Sequence, residues 1–212
     1  MSINNDQYLN LFPPLPISMS YWTGDLQYIE NEIKKYEFEK NSGNSISTVN
    51  RVLDDPTFVD LRNFILNFIH RYTVKVFRTR QKIKLTQSWI SITNKGHHHP
   101  RHSHSNSYMS GVMFIKSVPD SPPLAFENYL RPQQLYVNLH DGGDPTLPPN
   151  EFRNCDIPME YIDPIPGRVV LFPSPTPHFV PENTVDGERI SLAFNTWPEG
   201  PFGSEKDLTY GY

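Results

Sequence analysis

A chain of 212 residues carrying 19 Lys and Arg against 23 Asp and Glu, net charge -4, can bury one sizeable core but has no basic excess to neutralise successive phosphates. That excludes nucleic acid as a default partner; a mean hydropathy of -0.53, with no apolar run approaching ~18 residues, excludes a membrane-spanning helix from the sequence. The lone Cys155 rules out an internal disulfide, and without a charged-then-apolar leader the expectation is a soluble, cytoplasmic protein. The 21 Pro and 13% aromatic residues favour short strands joined by irregular loops over a helical bundle.

The opening stretch, Met1 to Thr23, holds the run Phe12-Pro13-Pro14-Leu15-Pro16 and suits an extended strand laid on a core. From Asp25, the residues Leu26, Ile29, Ile33 and Tyr36 recur at three- and four-residue steps, which predicts an amphipathic helix to about Asn41, followed by a polar loop from Ser42 to Asn50. A second helix is capped by Asp55, opened by Pro56 and marked by Phe58, Leu61, Phe64, Ile65, Phe68 and Ile69, to about Val76. The period then changes to two, with Ile83, Leu85, Trp89 and Ile92 marking a strand over Lys82 to Thr93. Beyond a His-rich loop, strands are expected at Tyr108 to Lys116, Leu124 to Glu127, Arg168 to Phe172, Pro177 to Val180 and Arg189 to Trp197, with a long loop from Asn128 to Pro149. The expected fold class is mainly β, a sandwich or jelly roll with two helices packed on one sheet. It forms a single domain over 1–212, with an N-terminal strand and helices in 1–80 and a β core in 81–200.

Five of the eight His fall in Gly96 to His104, so one segment holds most of the side chains that bind transition metals at neutral pH. His97, His98 and His99 precede Pro100 without periodic relation to a strand and read as a solvated loop. His102 and His104 lead into the apolar stretch Tyr108 to Ile115; in extended backbone their side chains share a face, so both can reach one metal. A third imidazole must come from His70, His140 or His178. His178 is the best placed, behind Val169-Val170-Leu171-Phe172 and the rigid turn of Pro173, Pro175 and Pro177. Eleven residues on, Arg189 and Ser191 share one face of a strand whose other face carries Ile190 and Leu192, and a guanidinium beside a hydroxyl is a carboxylate receptor. Trp89, Met113 and Trp197 read equally well as packing residues.

In order and spacing the chain resembles the iron(II) and 2-oxoglutarate dependent oxygenases, in particular a subgroup of phages and bacteria distantly similar to prolyl 4-hydroxylases. The residues that carry the likeness are Ser88-Trp89-Ile90, Gly96, His102-Ser103-His104-Ser105-Asn106-Ser107, Ser110-Gly111-Val112, Leu171-Phe172-Pro173-Ser174, His178, Val180-Pro181-Glu182-Asn183 and Glu188 through Asn195. Leu11-Phe12-Pro13 extends it toward the N-terminus.

The resemblance implies a double-stranded β-helix of the jelly-roll or cupin-like type, with iron(II) held by His102, His104 and His178. It implies that Arg189 with Ser191 binds the distal carboxylate of the cosubstrate 2-oxoglutarate, and that Tyr108 or Asn94 touches its proximal carboxylate. The implied activity is a dioxygenase that consumes 2-oxoglutarate and O2, releases succinate and CO2, and hydroxylates a small molecule or protein side chain. The wider superfamily uses two histidines and one carboxylate, whereas position 104 is His here. Two readings stay open: a three-His site, or a site completed by Glu127 or Asp120 with His104 behind it. Two competing functions also remain, a non-redox cupin-like isomerase or epimerase and a non-catalytic jelly-roll binding module.

Overall fold

The computed structural model describes residues 16–128, 159–201, 203 and 206. The motif at 11–13, His140, the loop at 129–149 and Cys155 lie outside them. The strands are β1 (Ser18–Tyr21), β2 (Phe38–Lys40), β3 (Ser45–Ser47), β4 (Ile83–Thr93), β5 (His99–His102), β6 (Met109–Lys116), β7 (Leu124–Glu127), β8 (Met159–Ile162), β9 (Arg168–Pro173), β10 (His178–Val180) and β11 (Arg189–Pro198). They form a seven-stranded sheet, β1-β9-β6-β11-β4-β3-β2, and a four-stranded sheet, β5-β10-β7-β8, with antiparallel pairing in both. The expected mainly β class holds, and no described helix is long and apolar enough to cross a membrane.

Helix α1 (Leu26–Ile33) starts where the sequence predicts, with the Asp25 carboxylate accepting from the Tyr28 N–H at 2.9 Å, and buries Ile29 and Ile33. It ends well short of Asn41. The chain instead turns into β2, which pairs with β3 as a hairpin within the segment expected to be a helix end and a polar loop. Strand β3 also pairs with β4, so long-range pairing decides this segment over its local helical spacing. Gly43, at φ +146, makes the hairpin turn. Asp55 caps the second helical segment by accepting from the Thr57 N–H at 2.9 Å; a 3-10 turn (Pro56–Phe58) leads into α2 (Val59–Tyr72), and a π turn (Thr73–Phe77) closes it at Arg78, φ 55.

The large sheet is buried on both faces, and alternate residues along its strands are assigned to different layers. Ile90, Met113, Val169, Leu171, Ile190, Leu192 and Phe194 pack against the helices, beside Leu61, Ile65 and Ile69. Phe114, Val170 and Phe172 point the other way and pack against Leu124, Phe126, Ile162 and Val180 of the small sheet. The predicted strand over Lys82 to Thr93 groups Trp89 with Ile83, Leu85 and Ile92, but a register shift opposite Asn195/Thr196 inserts one extra residue after Leu85. Such a bulge reverses the facing of every later residue in the strand. Ile83, Leu85, Ile90 and Ile92 therefore share the helix face, and Trp89 looks into the space between the sheets.

Gly111 sits opposite Phe194 across β6 and β11, where a Cβ would come 2.1 Å from the Phe194 ring. Phe194 is fully buried and cannot swing away freely. Gly111→Ala is expected to destabilise the fold by about 1–3 kcal/mol through overpacking, measured as a lower urea midpoint; an unchanged midpoint would contradict this packing.

Candidate metal centre

On the side of the sandwich bounded by β11 and β4, the space between the sheets changes character. The inward residues are no longer phenylalanines but Ser91, Thr93, Arg189 and Ser191, and they line a cavity with Trp89, His99, His102, His104 and His178. Strand β10 pairs with β5 so that His178 lies directly opposite His102. His104 follows two residues later, and its N–H donates to the Ser174 carbonyl at 3.0 Å, which ties the segment after β5 to the turn between β9 and β10. The buried Ser174 hydroxyl joins those of Ser107 and Ser110 at 2.7 and 2.8 Å, and Ser110 donates on to Asn195 at 2.7 Å.

One nitrogen from each of His102, His104 and His178 can be chosen so that all lie within 4.8 Å of one another, the only such group of potential metal ligands among the described residues. The ring of His102 lies 5.0 Å from that of His104 and 4.3 Å from that of His178. The Nδ1 of His102 is 2.8 Å from the Pro100 carbonyl, and the Nδ1 of His178 is 2.9 Å from that of Thr176. A carbonyl can only accept, so each Nδ1 carries a hydrogen and Nε2 is the ring nitrogen left to face a metal. Burial pushes His178 down to about 3 and His104 to about 4, with the neighbouring His102 adding to both, so these rings are neutral at pH 7. Three imidazoles converging on one point suit a divalent transition metal. Glu127 is ion-paired with Arg101 instead, and Asp120 is exposed; neither carboxylate belongs to the group.

Arg189 is 1% exposed and aims into the same cavity. Its Nε donates to the Pro122 carbonyl at 3.0 Å, its Nη1 to the Ser191 hydroxyl at 3.4 Å, and its guanidinium carbon lies 5.1 Å from the Phe114 ring centre. Desolvation lowers it to about 10, which leaves it charged at neutral pH. No described carboxylate pairs with it, and its Nη2 has no hydrogen-bond partner. A buried cation without a counter-ion is costly, so this environment fits a bound anion.

His99 is not part of a solvated loop: it opens β5, stacks on His102 with ring centres 4.3 Å apart, and is pushed down to about 3 chiefly by burial. Only the pairing of β5 with β10 makes that stretch a strand, and spacing gave no sign of it. Asn94 and Tyr108 are not among the residues that line this cavity, and their expected contact with the proximal carboxylate stays an expectation. Asn94 forms the turn after β4, accepting from the His97 N–H, while the partly exposed Tyr108 ring packs 5.2 Å from Phe77. The buried polar residues Asn44, Ser91 and Thr93 also line the cavity. Ser91 and Thr93 alternate with Ile90 and Ile92, a signal the sequence does contain.

A double-layered β fold with three histidines that can share one ion and, among the described residues, a buried guanidinium without a counter-ion is the arrangement expected of a metal-dependent protein that binds a carboxylate. A family profile described as 2OG-Fe(II) oxygenase matches residues 87–195, more than half the chain, and the protein belongs to that family. Among solved structures, a 2OG-Fe(II) oxygenase family oxidoreductase from Burkholderia pseudomallei is similar at 16% identity and TM-score 0.58, covering 85% of this chain and 83% of that one. A prolyl hydroxylase from Trichoplax adhaerens, in complex with a hypoxia inducible factor peptide fragment, is similar at 15% identity and TM-score 0.56, over 91% and 86% of the two chains. HygX from Streptomyces hygroscopicus, solved with nickel, 2-oxoglutarate and hygromycin B, is similar at 13% and 0.54, over 86% and 83%. At these identities the likeness is one of fold, the jelly roll of 2OG oxygenases. No curated protein sequence matches the chain.

Because His178 titrates near 3 when folded and near 6.5 when unfolded, the unfolded chain binds the extra proton between those values. The metal-free protein is therefore expected to lose stability as pH falls from about 6.5 toward 3, by up to about 1.4 kcal/mol per pH unit from this residue. His178→Asn should flatten that part of the urea-midpoint profile, and an identical acid slope in the variant would contradict a buried neutral imidazole.

Proposed function

We propose that the protein is a dioxygenase of a single domain in which His102, His104 and His178 hold iron(II), and Arg189 with Ser191 receives the distal carboxylate of 2-oxoglutarate. The observation that carries this reading is the meeting, in one cavity, of three imidazoles and a buried guanidinium without a counter-ion. Iron(II) and 2-oxoglutarate, when bound there, would supply oxidative decarboxylation of the keto acid by O2 to succinate and CO2, coupled to hydroxylation of a C–H bond of the primary substrate.

The chain's own part is positioning and charge. The Pro100 and Thr176 carbonyls hold two of the rings by their Nδ1 hydrogens, so their orientation is set before any ion arrives. The guanidinium, dry and backed by Phe114, offers Nη2 to an incoming carboxylate. A second cavity, lined by Pro100, Arg101, Glu127, Met159 and Pro181, shares His99, Phe179 and Val180 with the first and offers the approach for the primary substrate, a small molecule or a protein side chain. A non-redox metalloenzyme or a binding module has no requirement for a guanidinium placed to receive a dicarboxylate.

Anaerobic addition of iron(II) and 2-oxoglutarate to the metal-free protein is expected to give a visible metal-to-ligand charge-transfer band, and admission of air should then release succinate. A well-folded preparation that binds neither component would end the oxygenase reading. Arg189→Ala is expected to weaken 2-oxoglutarate by roughly a hundredfold while iron(II) stays bound; equal loss of both would contradict the separate roles.

A further inference from the structure

Six buried side-chain atoms among the described residues lack a hydrogen-bond partner, and three of them, Asn44 Nδ2, Thr93 Oγ1 and Arg189 Nη2, belong to residues lining the one cavity. Buried polar groups are nearly always satisfied, so three orphans on one wall point to a missing ligand. Their placement is regular. Thr93 is the cross-strand partner of Arg189, and the β3–β4 register, Ser45 opposite Ile92 and Ile46 opposite Ser91, brings Asn44 to the level of Thr93. The three thus form a row across adjacent strands, where directly opposed side chains lie on one face. Asn44 is held from behind: its backbone carbonyl accepts from the Asn41 N–H at 2.8 Å and its Oδ1 from the Asn41 amide at 3.1 Å. The Gly43 carbonyl of the same turn accepts from the His98 N–H at 2.9 Å, which fastens the hairpin to the His-rich segment. Asn44 lies outside the stretch 87–195 that matches the family.

We propose that Asn44 and Thr93 complete the receptor around Arg189, so that the N-terminal hairpin supplies part of the cosubstrate pocket and the pocket selects an ionised distal carboxylate. This rests on the oxygenase reading above. The free groups are two N–H donors and a hydroxyl that can donate, a set that two carboxylate oxygens satisfy together. A carboxamide in their place would turn its own N–H donors toward Arg189 or Asn44, so 2-oxoglutaramate is expected to bind far more weakly than 2-oxoglutarate.

The test is an anaerobic titration of the iron(II)-loaded protein, followed by the visible charge-transfer band, with 2-oxoglutarate and with 2-oxopentanoate, which has the same chelating end but a methyl in place of the distal carboxylate. Thr93→Val should weaken 2-oxoglutarate roughly tenfold or more, leave 2-oxopentanoate unchanged, and be rescued by Thr93→Ser. Asn44→Asp places a carboxylate on the same cavity wall as Arg189 and should exclude 2-oxoglutarate while 2-oxopentanoate still binds. Wild-type binding of 2-oxoglutarate in both variants would overturn the proposal, as would equal weakening of the two keto acids, which marks a general packing defect. If the wild-type protein itself gives no band with either acid, the oxygenase reading falls and this inference with it.

Discussion

The central constraint is that β4 and β11 bury both of their faces, one against helices and the other against a cavity that must stay polar. Ile90 and Leu192 are fully buried on the first face; Ser91, Thr93, Arg189 and Ser191, also buried, occupy the second. The helix layer holds the larger apolar cluster, whereas the layer between the sheets is apolar around Phe114, Val170 and Phe172. One sheet thus serves as the floor of the main core and the wall of the cavity, and the alternation of side chains along two adjacent strands separates the two tasks.

That division explains how a guanidinium can be kept dry. Arg189 starts β11, where the serine wall gives way to Phe114, and two neutral acceptors hold part of its fork while Nη2 is left over. Burying a charge this way costs several kcal/mol even after relaxation. The helix-side core, anchored by Phe58, Leu61, Ile65 and Ile69, supplies the apolar burial that offsets such a cost. Polar strain at the cavity and apolar excess at the helices are two sides of the same strands.

Much of this was legible in the sequence. His102 and His104 two apart, and Arg189 and Ser191 two apart opposite Ile190 and Leu192, are local patterns that the pleat of a strand converts directly into shared faces. His178 could be argued from its turn of prolines. The second helix was readable because cap, proline and apolar stripe agreed. The failures are non-local: β2 and β3 exist because β3 pairs with β4, His99 is in a strand because β5 pairs with β10, and a bulge after Leu85 moves Trp89 to the other face. Asn44 left no local sign, because its level beside Thr93 is fixed only once the hairpin docks.

The histidine at position 104 bears on how strongly the cavity favours anions. Three neutral imidazoles would leave a divalent ion its full charge, and Arg189 adds another, so a bound dianion would still leave the site with one net positive charge. An aspartate at 104 would bring the same sum to neutrality. In a dry, low-dielectric space that difference acts directly on the attraction for a dicarboxylate. The site would hold 2-oxoglutarate by charge at both ends, with the donor set around Arg189 fixing which end lies there.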